Sequence, residues 1–259
     1  MKCTLPLALT FLTILPWPRL GLAGPQDLAR SMFWFPWVGA LLGLIFWGAW
    51  VGLDRILPAP GAAAVLLGLT VIVTRGLHLD GLADTADGLG GGANLAERLR
   101  IMKDSRLGAF GAISLILILV LKFAFFLAWA EKGMGAVLLL YPVVSRWGMV
   151  FLAYLSPYAR PEGGLGQAMT TGVSFRVLAG ATLSALGLSC LTAGGQGLAI
   201  LAGAAFAVWL GSRYFKEKLG GVTGDVLGAA NELLEVLVLG GSLFLNPTDA
   251  AIPSLMIFW

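Results

Sequence analysis

The chain has 259 residues, of which 58% are hydrophobic and only 12% are charged. With a mean hydropathy of +0.87, this composition excludes an ordinary water-soluble enzyme and indicates a polytopic membrane protein. The net charge of +3 does not indicate nucleic acid binding, because Lys and Arg in a membrane protein mainly set its orientation in the bilayer.

The chain opens with a short apolar run between Pro6 and Pro16, which predicts an interfacial or buried half-helix, with a cleaved signal peptide as the alternative. A bilayer core of about 30 Å needs roughly 20 apolar residues per helix. The segments that meet this need predict an all-α, polytopic bundle of about seven transmembrane helices, in one domain over residues 1–259: 32–53, 59–77, 110–130, 134–155, 177–193, 197–214 and 226–245.

The loops between these segments differ sharply in positive charge. If they alternate sides from the N-terminus, the far side receives only Arg55 and Lys132, while Lys122 and Arg146 fall within apolar segments. Every other Lys and Arg lies on the side of the N-terminus, and positive loops favour the cytoplasm. We therefore expect a multi-pass protein of the cytoplasmic (inner) membrane whose N-terminus and active-site loops are cytoplasmic.

The stretch GLHLDGLADTADGLGGG follows the second apolar segment. Its spacing places Asp80, Asp84 and Asp87 on one face of a helix. Carboxylates this close repel one another unless a cation lies between them, and Mg²⁺ sites for phosphoryl transfer use such oxygens. The pattern predicts a Mg²⁺ site, against the alternative of a solvated acidic helix start. His78, the one histidine of the chain, is either an acid–base group or an orienting residue.

A second polar stretch, IMKDSRLGAFG, lies between the second and third apolar segments. Lys103 and Arg106 are suited to bind phosphate, and Asp104 is a further metal ligand or proton acceptor. The alternative is that these cations only anchor the protein at the cytoplasmic face of the membrane.

The third polar stretch, GGVTGDVLGAANELLE, enters the last apolar segment. Its acids, Asp225, Glu232 and Glu235, share one helical face. Carboxylates inside a membrane are costly and for this reason are candidates for function. Their expected partners are Lys122 and Arg146, with a purely structural ion pair as the alternative.

In this order, HLDGLADTADG, IMKDSRLGAFG and GGVTGDVLGAANELLE resemble the cobalamin synthases, the adenosylcobinamide-GDP ribazoletransferase family. FLTILPWPR, FPWVGALLG and VVSRW extend the resemblance over nearly the whole chain. The resemblance implies a Mg²⁺-dependent membrane enzyme of coenzyme B12 nucleotide-loop assembly. Such an enzyme joins adenosylcobinamide-GDP to α-ribazole or α-ribazole 5′-phosphate and releases GMP. Its partners would be these substrates and the lipid bilayer, without nucleic acid, and a homo-oligomer is left open.

The resemblance also suggests roles for single residues. The Mg²⁺ ligands would be Asp80, Asp84, Asp87 and Asp225. The catalytic residues would be two alternative proton acceptors and two phosphate-binding cations: Asp87, Asp104, Lys103 and Arg106. The substrates would further contact a set of residues in or near the apolar segments: His78, Lys122, Arg146, Asn231 and Glu232.

Two other functions stay open from the sequence. A CDP-alcohol phosphotransferase uses similar chemistry, but LDGLADTAD matches only part of its Asp-Gly-x-x-Ala-Arg motif. A cation-coupled transporter would explain carboxylates within the membrane. Against it, the sequence has no clear internal repeat, and its acids gather at one membrane edge.

Overall fold

The computed structural model describes residues 4–15, 24–133 and 135–244, and within these ranges the chain is helical without a β-strand. Parts of the FLTILPWPR stretch and of the segments 134–155 and 226–245 lie outside the described residues. The α-helices of the described ranges are α1 Thr4–Leu12, α2 Pro25–Ser31, α3 Phe35–Leu53, α4 Ala59–Val73, α5 Leu77–Gly91, α6 Leu95–Ile101, α7 Ala109–Lys132, α8 Gly135–Leu155, α9 Leu165–Thr171, α10 Phe175–Leu219 and α11 Gly224–Gly241.

Several of these helices are long and apolar enough to cross a membrane. Among the described residues these are five: α7, α8, α10, α11 and the segment Pro25–Leu53, which ends with α3. Helices α4 and α5, which meet at an 86° bend, add a sixth if the pair forms one broken span and not a re-entrant loop. The prediction of an all-α, polytopic membrane bundle is confirmed. The count is lower than seven because the predicted segments 177–193 and 197–214 both lie in α10.

Helix α10 is interrupted near its middle. Ala193 and Gly194 have non-helical backbone angles, and Gly194 has a positive φ of 54°. A Cβ on Gly197 would overlap the carbonyl oxygen of Ser189, so the chain folds back closely after the break. The two halves of α10 therefore correspond to the two segments that the sequence predicts.

Helix α8 lies at the centre of the bundle and packs against α3, α10 and α11. Within its most apolar window 83% of residues are buried, whereas the figure for α7 is 22%. A helix with apolar residues on every side is typical of a bundle interior, and an apolar helix with most of its surface exposed is suited to face lipid. The core of the protein is therefore built around α8.

The contact between α3 and α8 depends on two glycines of the FPWVGALLG stretch. A Cβ on Gly39 would overlap the backbone of Pro142, and a Cβ on Gly43 would lie 2.8 Å from the carbonyl oxygen of Leu138. Small residues four positions apart allow two membrane helices to approach at backbone distance. This spacing explains why a helix so rich in large apolar residues carries glycines at these two positions.

We predict that Gly39→Val destabilises the protein by about 1–3 kcal/mol, because the added methyl groups force α3 away from α8. The matched control is Gly48→Val on the same helix, where a Cβ meets no neighbouring atom within 4 Å. Thermal unfolding of the detergent-purified variants measures both. Equal losses at the two positions would show that helix propensity, and not the α3–α8 contact, is responsible.

Candidate functional site

Helix α5 brings the first acidic stretch against the third one on α11. A Cβ on Gly81 would lie 2.7 Å from the carbonyl oxygen of Asp225, and a Cβ on Gly228 would lie 3.2 Å from the Cα of His78. The two helices thus cross with their backbones nearly in contact. Two stretches separated by more than a hundred residues in sequence form one site.

Asp87 joins this crossing to the second polar stretch. Its carboxylate accepts hydrogen bonds from the backbone N–H of Gly108 at 2.7 Å and of Gly111 at 2.8 Å, at the start of α7. The first N–H groups of a helix have no partner within the helix, and a carboxylate there is favourable. A Cβ on either glycine would overlap the Asp87 carboxylate. The glycines of the GAFG segment therefore make room for this contact.

Asp80 and Asp84 are the unpaired carboxylates of the cluster. Neither side chain has a hydrogen bond or ion pair with another of the described residues. Both line a cavity of about 550 Å³, the large cavity, together with Arg75 and Ser105. Asp80 also lines a second cavity of about 300 Å³, the small cavity. Asp80 therefore lies at the boundary between two cavities.

Asp225 faces the small cavity and is already paired. The Arg160 guanidinium donates to its carboxylate at 2.7 Å, and the Thr223 hydroxyl donates to the same oxygen at 3.2 Å. Arg160 lines the small cavity as well. Arg160 was not predictable from the sequence, because a cation in the loop between α8 and α9 has no periodicity and no motif to distinguish it from a membrane anchor.

The carboxylates of Asp80 and Asp84 fit a Mg²⁺ ion that binds together with a substrate. Mg²⁺ commonly takes one or two carboxylates and completes its shell with waters and phosphate oxygens. Asp80 and Asp84 supply such a pair, within electrostatic range of Asp225 and Arg160. Among the residues that the structure describes, no group of three His, Cys, Asp or Glu side chains is close enough to hold a metal by itself. Of the four predicted ligands, Asp80 and Asp84 are available to a metal, whereas Asp87 is hydrogen-bonded to the start of α7 and Asp225 is paired with Arg160.

The cations of the second stretch are exposed and paired. Arg106 donates to Asp104 at 2.6 Å, and Lys103 pairs with Glu162. The hydrogen bonds and the charge of Arg106 lower the pKa of Asp104 to about 2. A carboxylate this acidic is a weak proton acceptor at neutral pH. The loop nevertheless borders the large cavity through Ser105.

A network of charges is buried within the bundle. Lys122 on α7 donates to Glu232 and Glu235 on α11, each at 2.5 Å, and Arg146 on α8 also pairs with Glu235. Asn231 donates to Glu235 at 3.0 Å. The pairing expected from the sequence is confirmed for Glu232 and Glu235, whereas Asp225 pairs with Arg160 instead, because it lies at the start of α11 and outside the buried network. Within this network the two positive and two negative groups balance.

The residues predicted to contact substrate fall into two groups. Lys122, Arg146, Asn231 and Glu232 line neither the large nor the small cavity. His78 lines the small cavity, is 1% exposed, and has no hydrogen-bond partner for either ring nitrogen among the described residues. It therefore lies between the cavity and the buried charges.

Comparison with known proteins identifies the family of the chain. The sequence profile described as "Cobalamin-5-phosphate synthase" matches residues 4–243. The chain belongs to this family. The resemblance drawn from the three motifs is thus confirmed, and the chain is a transferase. Family membership favours this activity over the CDP-alcohol phosphotransferase and the transporter that the sequence left open.

Relatives of this synthase family extend over almost the whole chain. A protein of Syntrophobacter fumaroxidans named adenosylcobinamide-GDP ribazoletransferase is 45% identical, over 91% of this chain and 96% of the relative. Proteins with the same name are 44% identical in Pseudomonas putida and 40% identical in Desulforamulus reducens, over at least 91% of this chain and 95% of each relative. No solved structure matches.

We predict that Asp87→Ala lowers the free energy of unfolding by about 1–3 kcal/mol, because a partly buried and a buried N–H group at the start of α7 lose their acceptor. Asp87→Asn should lose less, since its amide oxygen still accepts one hydrogen bond. The exposed Asp54→Ala is the control. Thermal unfolding in detergent measures the effect, and an Asp87→Ala protein as stable as the control would refute the anchoring role.

We also predict that Lys122→Met destabilises the protein by about 3–5 kcal/mol, because it leaves Glu232 and Glu235 buried with one cation fewer. Adding Glu232→Gln removes the surplus negative charge and should restore part of the loss. A double-mutant cycle on thermal unfolding measures this coupling. Strictly additive losses would mean that Lys122 and Glu232 do not act as a pair.

Proposed function

We propose that this protein catalyses the reaction named in its relatives, joining adenosylcobinamide-GDP to α-ribazole or α-ribazole 5′-phosphate with release of GMP. One observation carries the proposal. Asp80 and Asp84 are unpaired carboxylates beside a large cavity that also presents Arg75. Two free carboxylates and a cation at one cavity are suited to a diphosphate substrate that arrives with Mg²⁺.

Mg²⁺ is the proposed cofactor, held by Asp80 and Asp84. When bound, it supplies positive charge that offsets the negative charge of the diphosphate and of the departing GMP. Asp225 and Asp87 support the site in other ways. Asp225 holds Arg160 at the small cavity, and Asp87 fixes α5 against α7.

Cations of the chain would hold the phosphate oxygens. Arg160 is fixed by Asp225 and by the carbonyl oxygen of Met102, and its Nε has no partner among the described residues. A guanidinium held in this way can present its remaining N–H groups to a phosphate. Lys103 and Arg106 lie on the loop that borders the large cavity, and to bind phosphate they would exchange their present partners, Glu162 and Asp104, for phosphate oxygens. Arg146 is occupied by Glu235 inside the bundle, and its proposed role is to position the helices.

The attacking hydroxyl of the ribazole must give up a proton. Asp104 is a weak base, and both oxygens of Asp87 accept backbone N–H groups. Asp80 is better placed than either, because it lines both cavities and has no hydrogen bond or ion pair with another of the described residues. We assign the proton acceptor to Asp80 on this ground.

The distribution of Lys and Arg supports a cytoplasmic active site in the cytoplasmic membrane. Arg75, Lys103, Arg106 and Arg160 all belong to loops on the side that carries most of the positive charge. Nucleotide substrates would reach the large cavity directly from that side.

The test is GMP release by the purified protein in lipid, given adenosylcobinamide-GDP, α-ribazole phosphate and Mg²⁺. Asp80→Asn and Asp84→Asn should each lower turnover about 100-fold or more, which corresponds to about 3 kcal/mol of transition-state stabilisation. Chelation of Mg²⁺ should abolish release, and its return should restore it.

The control is Asp54→Asn, an exposed aspartate at the far end of α3, which should keep wild-type turnover. Size-exclusion profiles establish that each variant is folded. Wild-type turnover with unchanged Mg²⁺ dependence in both Asp80→Asn and Asp84→Asn would refute the proposed site.

A further inference from the structure

The small cavity differs from the large one in shape and lining. Its apolar lining comes from several parts of the chain: Phe11, Leu77, Met149, Met169 and Leu227. Its volume of about 300 Å³ is at the lower end for ligand sites and suits one heterocycle with a sugar, whereas a corrin ring is far too large for it. The corrinoid substrate must therefore approach from the large cavity or from outside.

The polarity of the small cavity changes along its depth. Met149, Met169 and His78 are almost fully buried, while Asp80 is exposed and Asp225 partly exposed. The cavity thus has an apolar inner end and a charged mouth. A ligand that fits it has a flat apolar part inside and hydroxyl or phosphate groups at the mouth.

His78 adds a specific polar requirement at the inner end. A buried polar group without a hydrogen bond costs free energy, and such groups in native proteins usually have a partner. Both nitrogens of His78 lack a partner among the described residues. In either protonation state the ring has at least one N–H to donate. A ligand with an acceptor nitrogen would pair with this N–H.

We propose that the small cavity binds the base of the acceptor nucleoside and that His78 donates a hydrogen bond to it. Such a base is a neutral, two-ring aromatic group with one ring nitrogen that can accept a hydrogen bond. This inference rests on the proposed function, in which the acceptor is a ribazole, whose benzimidazole base has one such nitrogen. Guanine fits the cavity less well, because its edge presents several donors and acceptors that apolar walls cannot satisfy. The ribose then lies at the mouth beside Asp80.

The first experiment removes only the ring nitrogen. Benzimidazole riboside and indole riboside differ by one nitrogen replaced with C–H, far from the reacting hydroxyl. The wild-type protein should favour the benzimidazole riboside at least about tenfold in kcat/KM, the value of one hydrogen bond of about 1.4 kcal/mol. His78→Leu should react with both equally, and His78→Gln, which keeps an N–H donor, should retain part of the preference. Equal rates with the wild-type protein, or an undiminished preference in His78→Leu, would overturn the assignment.

The second experiment fills the cavity. Gly224 lines it, and a Cβ there meets nothing nearer than the Cα of Gly166 at 4.0 Å. Gly224→Leu should raise the KM for α-ribazole at least about tenfold and leave the KM for adenosylcobinamide-GDP unchanged. Gly241→Leu, on the same helix with no neighbour within 4 Å, is the matched control and should change neither. A rise only in the KM for adenosylcobinamide-GDP would place guanine in the cavity and refute the proposal.

A calorimetric measurement of α-ribazole binding, without the second substrate, distinguishes failure of the proposed transferase function from failure of the proposed base-binding cavity. Binding that Gly224→Leu weakens, without GMP release under any condition, would overturn the proposed function and leave the cavity as a base-binding site. GMP release with normal Mg²⁺ dependence, but with α-ribazole binding unaffected by Gly224→Leu, would overturn the base pocket and keep the transferase.

Discussion

The site depends first on the hydrogen bonds between the Asp87 carboxylate and the N–H groups of Gly108 and Gly111. They fix one end of α5 against α7, while the close crossing at Gly81 and Gly228 fixes its other end against α11. A helix held at both ends cannot rotate about its axis. Asp80 and Asp84 are therefore kept at the cavities although neither has a partner of its own, and their mutual repulsion is balanced by the packing of α5.

The buried charges serve the same arrangement from within the bundle. Lys122 on α7 and Arg146 on α8 both pair with Glu235 on α11, so one acidic residue orients three helices. The desolvation of such groups offsets most of the attraction between them, so the network contributes more to helix registry than to net stability. His78 lies between this network and the small cavity, which links the wall of the proposed site directly to the helix packing.

Much of this arrangement was predictable from the sequence, and the rest was not, for definite reasons. The lengths of the apolar segments predict the membrane helices, and the helical period predicts that Asp80, Asp84 and Asp87 lie on one helix face. Charge balance inside apolar segments also predicts that Lys122 meets the acids of α11. Periodicity cannot show which aspartate is engaged, however, because the partners of Asp87 are backbone N–H groups on a distant helix.

Two cavities that share one carboxylate constrain the geometry of the proposed reaction. In-line phosphoryl transfer needs the attacking oxygen and the leaving group on opposite sides of the phosphorus. With the acceptor nucleoside in the small cavity and the diphosphate in the large one, Asp80 lies where the two substrates meet. The acceptor hydroxyl then faces the diphosphate from the side away from the departing GMP. The same carboxylate that would bind the metal would thus also lie beside the acceptor hydroxyl.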